Sequence, residues 1–246
     1  MPSTAPTPVL DVTAGIIFAL AVEADAFERL AEQRREFRAA TLAFQTGNIA
    51  GRPVAWCVSG VGAAAAEAAT RQLIAGHRPR AIVTAGFAGG LDPALDRGSV
   101  IRASRVVRDG DATAVDLAGA GTSSGTLTIV SVDAVAATVG AKQALAARTG
   151  AHAVDMETHA VASVAARAGL PCHSVRVVSD DAHESLPAEV AILAAARSPL
   201  RRLGAVVGAV GRRPSVARDF WRLWEHAVVD SRTLAAAMAD LIAPLP

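Results

Sequence analysis

Apolar runs of strand length alternate along this chain with segments of helical spacing. "AGIIFALAV" (Ala14–Val22) is a continuous apolar run, and "ADAFERLAEQ" after it has the spacing of an amphipathic helix. "RPVAWCVSG" (Arg52–Gly60) is a second β-like run ended by glycine, and "AAAAEAATRQLIAGH" (Ala63–His77) predicts a helix with Gly76 near its stop. "RAIVTAGFAGG" (Arg80–Gly90) predicts a strand running into a glycine-rich turn, and "GTLTIVSV" (Gly125–Val132) another strand. "METHAVASVAARAG" predicts a helix closed by Gly169 and Pro171, followed by a last strand at Cys172–Asp180. Strands without strict polar alternation, interleaved with helices, predict a mostly parallel sheet covered on both faces. The expected fold class is therefore α/β: one three-layer αβα domain with a mostly parallel mixed central sheet. Residues 1–13 are expected to be a flexible tail and 14–246 the domain, with 190–246 an Arg-rich helical extension.

Composition narrows the class. With 246 residues and 52% hydrophobic content the chain can bury a large core. A formal charge of +1 gives no reason to expect nucleic acid as a partner. Nearly all the positive charge is arginine, because Lys142 is the only lysine. Cys57 and Cys172 lie in apolar runs and read as small buried hydrophobes, which fits a reducing cytoplasm. The opening "MPSTAPTPVLDVTA" lacks the basic and apolar regions of a secretory signal, and the expected location is cytoplasmic.

In a sheet of this kind ligands collect at the carboxyl ends of the strands. The sequence places there Glu23, the turn "SGVGAAAAE" from Ser59, the turn "AGFAGGLD" from Ala85, and Asp155, Met156 and Glu157. Ser179, Asp180, Asp181 and His183 follow the last strand. Asp155 and Glu157 have a bland reading as acids that complement a helix dipole. Gly60, Gly62 and Ala65 match a dinucleotide fingerprint, but no acidic ribose ligand follows about 20 residues on, so a nicotinamide or flavin is not expected. The six histidines show no metal-ligand spacing, and no metal or organic cofactor is expected.

The ordered set "GIIFALAVEAD", "VSGVGAAAAEAAT", "AIVTAGFAGGLDPALDRGSVI", "TIVSVDA", "AVDMETHAVASVA" and "LPCHSVRVVSDDA" resembles the nucleoside phosphorylase superfamily. Within it the chain is most similar to the methylthioadenosine/S-adenosylhomocysteine nucleosidases, from about Gly15 to Asp181. The resemblance implies that Glu23 activates the attacking water. It implies that Glu157 accepts from the ribose 2′- and 3′-hydroxyls while Met156 packs on the sugar. Asp180, supported by Ser179, then donates to purine N7, and Val135 lies in the segment covering the base. A nucleoside is the implied ligand, and a homo-oligomer, dimer- or trimer-based, the implied assembly. Val135 departs from the phenylalanine common in such nucleosidases, and Phe87 replaces a small residue.

These residue types suit N-glycosidic cleavage, which develops positive charge on the ribose and negative charge on the departing purine. The proton chemistry requires a base such as Glu23 and an acid such as Asp180, its pKa raised by burial or by Asp181. Hydrolysis is preferred over phosphorolysis because the strand-end loops offer Ala19, Leu20, Thr84 and Phe87 where phosphate would want arginine; Gly62 and Gly86 give these loops their close approach. Arg176 lies on a strand and is a candidate to point inward. A phosphorylase and a non-catalytic nucleoside-binding protein are the alternatives. The C-terminal arginines around "LGAVVGAVG", with Trp221 and Trp224, read as a surface or subunit-contact helix ahead of a membrane-surface one. This part of the chain resembles the hopanoid-associated phosphorylases, which would imply a lipid-linked adenosine.

Overall fold

Among the described residues eleven strands form one sheet. The computed structural model describes residues 11–39, 42–111, 113–118, 127–186 and 215–246. The strands are β1 (Ala14–Phe18), β2 (Glu32–Ala39), β3 (Leu42–Ile49), β4 (Arg52–Val58), β5 (Ala81–Gly90), β6 (Val100–Arg102), β7 (Arg105–Arg108), β8 (Ala114–Asp116), β9 (Thr128–Ser131), β10 (Ala153–Asp155) and β11 (Cys172–Asp180). The helices are α1 (Ala21–Leu30), α2 (Ala63–His77), α3 (Val139–Thr149), α4 (Thr158–Arg167) and α5 (Ser215–Ile242).

The sheet is mixed. Its centre, β4-β1-β5-β11, is parallel, as are β10-β9-β7. The hairpins β2-β3-β4 and β7-β8 and the pairs β5-β10 and β6-β11 are antiparallel. Five parallel pairings therefore meet five antiparallel ones, so the sheet is more evenly mixed than the apolar runs predict. Strands β1, β4 and β5 carry near-continuous apolar runs, as strands buried on both faces do.

Two cores sit on the two faces. Phe18, Phe27 and Trp56 pack with Leu234, Met238 and Ile242 of α5, forming an aromatic stack 5.4 to 5.6 Å between ring centroids. Ala66, Ala69 and Leu73 of α2 pack with Ile82, Val161 and Ala165 on the other face. A third, smaller cluster joins Leu145 of α3 to Leu91 and Val130.

Several boundaries differ from the sequence reading. The run Ala14–Val22 is not one strand: β1 stops at Phe18 and α1 starts at Ala21. The helix after it ends at Leu30, and Glu32 begins β2, an exposed polar edge strand with a register shift between Glu32 and Arg35. Helix α4 begins at Thr158 rather than Met156, which leaves Met156 and Glu157 in the bend before it. Val12 is buried and the Thr13 N–H donates to the Pro53 carbonyl, so the last residues of the expected tail are packed. The Arg-rich run around "LGAVVGAVG" lies outside the described residues, as do the side chains of Trp221 and Trp224; α5 is described from Ser215. No helix among the described residues is long and apolar enough to cross a membrane.

Candidate active site

The carboxyl ends of β1, β5, β9, β10 and β11 surround a cavity of about 180 Å³. Of the residues singled out in the sequence, Ala19, Leu20, Glu23, Phe87, Val135, Asp155, Met156, Glu157, Ser179 and Asp180 line it. Gly62 and Gly86 touch its carboxylates from behind. Val61, Gly89, Val132, Val154 and Leu186 complete much of the wall and are apolar or small, so nothing in the sequence separates them from core residues.

Glu23 sits on the first turn of α1, where the chain turns sharply from β1. Its Oε2 accepts from the Ala19 and Leu20 amides at 2.9 and 2.8 Å, and its Oε1 from the Phe87 amide at 2.9 Å. Gly86 makes this approach possible: a Cβ there would stand 2.6 Å from Glu23 Oε1. Burial pushes the Glu23 pKa up, and the Phe87 amide and Arg176 oppose that shift without cancelling it.

Glu157 and Asp155 have separate partners. Glu157 Oε1 accepts from the Gly62 amide at 2.6 Å, at a glycine whose φ of 101° lies in the left-handed region. Burial and the neighbouring Asp155 charge raise its pKa to about 7. Asp155 ends β10 and is almost wholly enclosed. Its Oδ2 accepts from the Thr158 amide at 3.0 Å and from Arg176 Nη2 at 2.7 Å, and its Oδ1 from Ser131 Oγ at 2.6 Å.

Arg176 does point inward, but it lies beneath the cavity rather than on its wall. It holds Asp155 and donates to Thr84 Oγ1 at 2.7 Å and Thr158 Oγ1 at 2.8 Å. Burial works against its charge, and Asp155, Glu23 and Glu157 more than offset that, so its pKa is raised. One guanidinium therefore balances three carboxylates at the sugar-facing end implied by the sequence.

At the other end the Asp180 carboxyl was expected to answer to Asp181. It meets a cation instead: Lys142 Nζ of α3 is 2.6 Å from Asp180 Oδ2. Asp180 Oδ1 is 2.6 Å from Ser179 Oγ. The sequence gives no sign of this pair, since a lysine on an alanine-rich helix reads as a surface residue until its partner is placed. Cys57 and Cys172 are buried and free, and burial pushes both thiols up to about 12, which makes them inert hydrophobes. Among the described residues no group of three or more His, Cys, Asp or Glu is placed to hold a metal.

Geometry of this kind has relatives. The phosphorylase superfamily model matches residues 13–121 and 114–207, and the chain belongs to that superfamily. Among individual proteins, it is 35% identical over 92 residues to the 5′-methylthioadenosine/S-adenosylhomocysteine nucleosidase of Pseudoalteromonas translucida, a match covering 37% of this chain and 39% of that protein. It is 33% identical over 101 residues to the Haemophilus influenzae enzyme of the same name, covering 41% and 44%. The matched stretch thus spans about two fifths of these relatives' length. Solved structures share the whole fold. A Helicobacter pylori variant of that nucleosidase holding 5′-methylthioadenosine superposes with a TM-score of 0.72 at 17% identity, covering 95% of this chain and 99% of that one. The futalosine hydrolase of Helicobacter pylori superposes at 0.67 and 17% identity, covering 92% and 94%.

Proposed function

We propose that the protein hydrolyses the N-glycosidic bond of a 5′-modified adenine nucleoside of the methylthioadenosine/S-adenosylhomocysteine type. The observation that carries this reading is the capture of three backbone amides by Glu23. The Ala19, Leu20 and Phe87 amides are the donors that a phosphate in these loops would use, and all three already serve a carboxylate. An anion brought there would meet a negative charge in place of donors. A water molecule meets a base instead, with its basicity raised by burial.

In this reading Glu23 takes a proton from the attacking water. Glu157, with one oxygen held by Gly62, accepts from the ribose hydroxyls and stabilises the positive charge that develops on the sugar. Met156 packs against the ribose, and Val135 and Leu186 flank the base. Asp180 and Ser179 hold the base edge; Asp180 as the acid passes its proton to N7 of the departing purine, and the proton that Glu23 takes from water returns through solvent to restore it. The names of the similar nucleosidases support the choice of substrate class.

The test is base release from 5′-methylthioadenosine, S-adenosylhomocysteine, adenosine and inosine, with and without phosphate, identifying the sugar by mass. Free adenine and an unphosphorylated sugar, formed equally in both buffers, are the expected products. A sugar 1-phosphate formed only with phosphate would make it a phosphorylase, and binding without turnover a non-catalytic nucleoside receptor. A cytoplasmic homo-oligomer completes the proposal, and light scattering on the purified protein checks the assembly.

A further inference from the structure

Met156 and Val132 line two cavities at once. One is the strand-end cavity. The other, of about 160 Å³, lies against α2 and α4 and is lined by Glu67, Arg108, Asp133, His159, Ser163 and Arg167. The two differ in kind on the two sides of Met156. Toward the strand ends its neighbours on the wall include Val61, Val135 and Leu186. The second cavity holds two ion pairs, Arg108 Nη2 to Asp133 at 3.2 Å and Arg167 Nη2 to Glu67 at 3.4 Å. A guanidinium carries five N–H groups, so both arginines keep donors for a further acceptor.

Met156 is also the methionine that an oxidant reaches. It is half-buried in the bend before α4, whereas Met238 of α5 is fully enclosed in the core, and Met1 lies outside the described residues. The two cysteines do not compete for peroxide. A thiol reacts as its thiolate, and burial holds both thiols at about 12. A thioether has no proton to lose. Its sulfur lone pair attacks one oxygen of hydrogen peroxide, the O–O bond breaks, and the remaining oxygen leaves as water. The sulfur is oxidised to the sulfoxide and the peroxide is reduced.

We propose that Met156 is a reversible oxidation site: hydrogen peroxide converts it to the sulfoxide, whose oxygen turns from the apolar strand-end cavity into the arginine-lined one and carries the side chain off the ribose. Oxidation makes an apolar, flexible side chain polar. The new oxygen is an acceptor with no donor among Val61, Val132, Val135 and Leu186, while Arg108, Arg167 and Ser163 offer donors across the shared wall. The effect on the ribose rests on the nucleosidase reading above; the oxidation and the movement do not.

The test exposes the intact protein to hydrogen peroxide. Peptide mass mapping is expected to show one oxygen gained at Met156 at least about tenfold faster than at Met238, because susceptibility follows exposure. Over the same interval kcat/KM for base release from 5′-methylthioadenosine is expected to fall by about tenfold or more, through a raised KM. Sulfoxide reductases of both epimer specificities restore the mass and the rate together. Met156→Leu, whatever its starting activity, keeps that activity through the same treatment. Oxidation of Met156 no faster than that of Met238, or a sulfoxide that leaves kcat/KM unchanged, overturns the proposal. If no nucleoside is turned over, the nucleosidase reading fails by itself, and a crystal structure of the oxidised protein still decides the proposal. A sulfoxide oxygen against Arg108 or Arg167 upholds it, and one in the strand-end cavity overturns it.

Discussion

Asp155 and Glu157 stand two positions apart, and the structure divides between them the two readings the sequence allows. Asp155 accepts from the Thr158 amide and so serves the start of α4, as an acid at a helix start should. Glu157, one residue before the helix, turns to Gly62 and the cavity. With its pKa raised to about 7, Glu157 must ionise before it can accept from two hydroxyls, so kcat/KM is expected to decline as pH falls through about 7. Glu157→Gln should remove that limb and lower kcat/KM by roughly 10²- to 10³-fold, read from a pH–rate profile. Gly86 makes a second residue-scale prediction. In Gly86→Ala the added methyl displaces the Glu23 carboxylate, which three amides hold rigidly. Activity should drop by about 10²-fold while the far-ultraviolet circular dichroism stays that of the parent.

At the scale of elements, legibility followed burial. Helix α2 was readable to the residue, and β1, β4, β5, β9 and β11 were readable in kind, because their apolar residues face a core. The β2-β3 hairpin was not, since β2 is an exposed edge in which Arg38 pairs with Glu36 and Arg34 with Glu28 of α1. Strand β10 spans three residues, too few for any period to show, and α3 is alanine-rich with little amphipathic contrast. Lys142 was hidden with α3, so the cation that pairs with Asp180 was missed, whereas Glu23, Glu157 and Asp180 were singled out and line the cavity. Helix α5 brings Asp230 against Arg97 at 2.7 Å, and Arg97 Nε donates to the Ser179 carbonyl at 2.9 Å. Asp230→Ala leaves that arginine without its charge partner. It should cost about 2 kcal/mol, lowering Tm by about 4 to 8 °C in a chain of this size, and weaken substrate binding through Ser179, seen as a raised KM.

Across the whole molecule the acidic site couples activity to stability. Glu23 and Glu157 have folded pKa values above their ordinary 4.5, so each contributes most to stability where it is protonated. For Glu157 the benefit is complete below pH 4.5 and is lost as pH rises through about 7. That change is on the order of 3 kcal/mol, and denaturant unfolding at several pH values should show it shrinking in Glu157→Gln. Arg176 opposes the same strain from beneath. Arg176→Met strands three carboxylates in a dry environment, which should cost roughly 3 to 5 kcal/mol and move the acid limb of the rate profile to higher pH. The lone lysine has a practical consequence for observing this molecule. A protease that cuts only after lysine has one target in this sequence, and that target lies in α3 behind the Asp180 end of the cavity. Native protein should resist it, and each cleavage would record one opening of that wall, so digestion rate becomes a clock for local unfolding that a bound nucleoside slows.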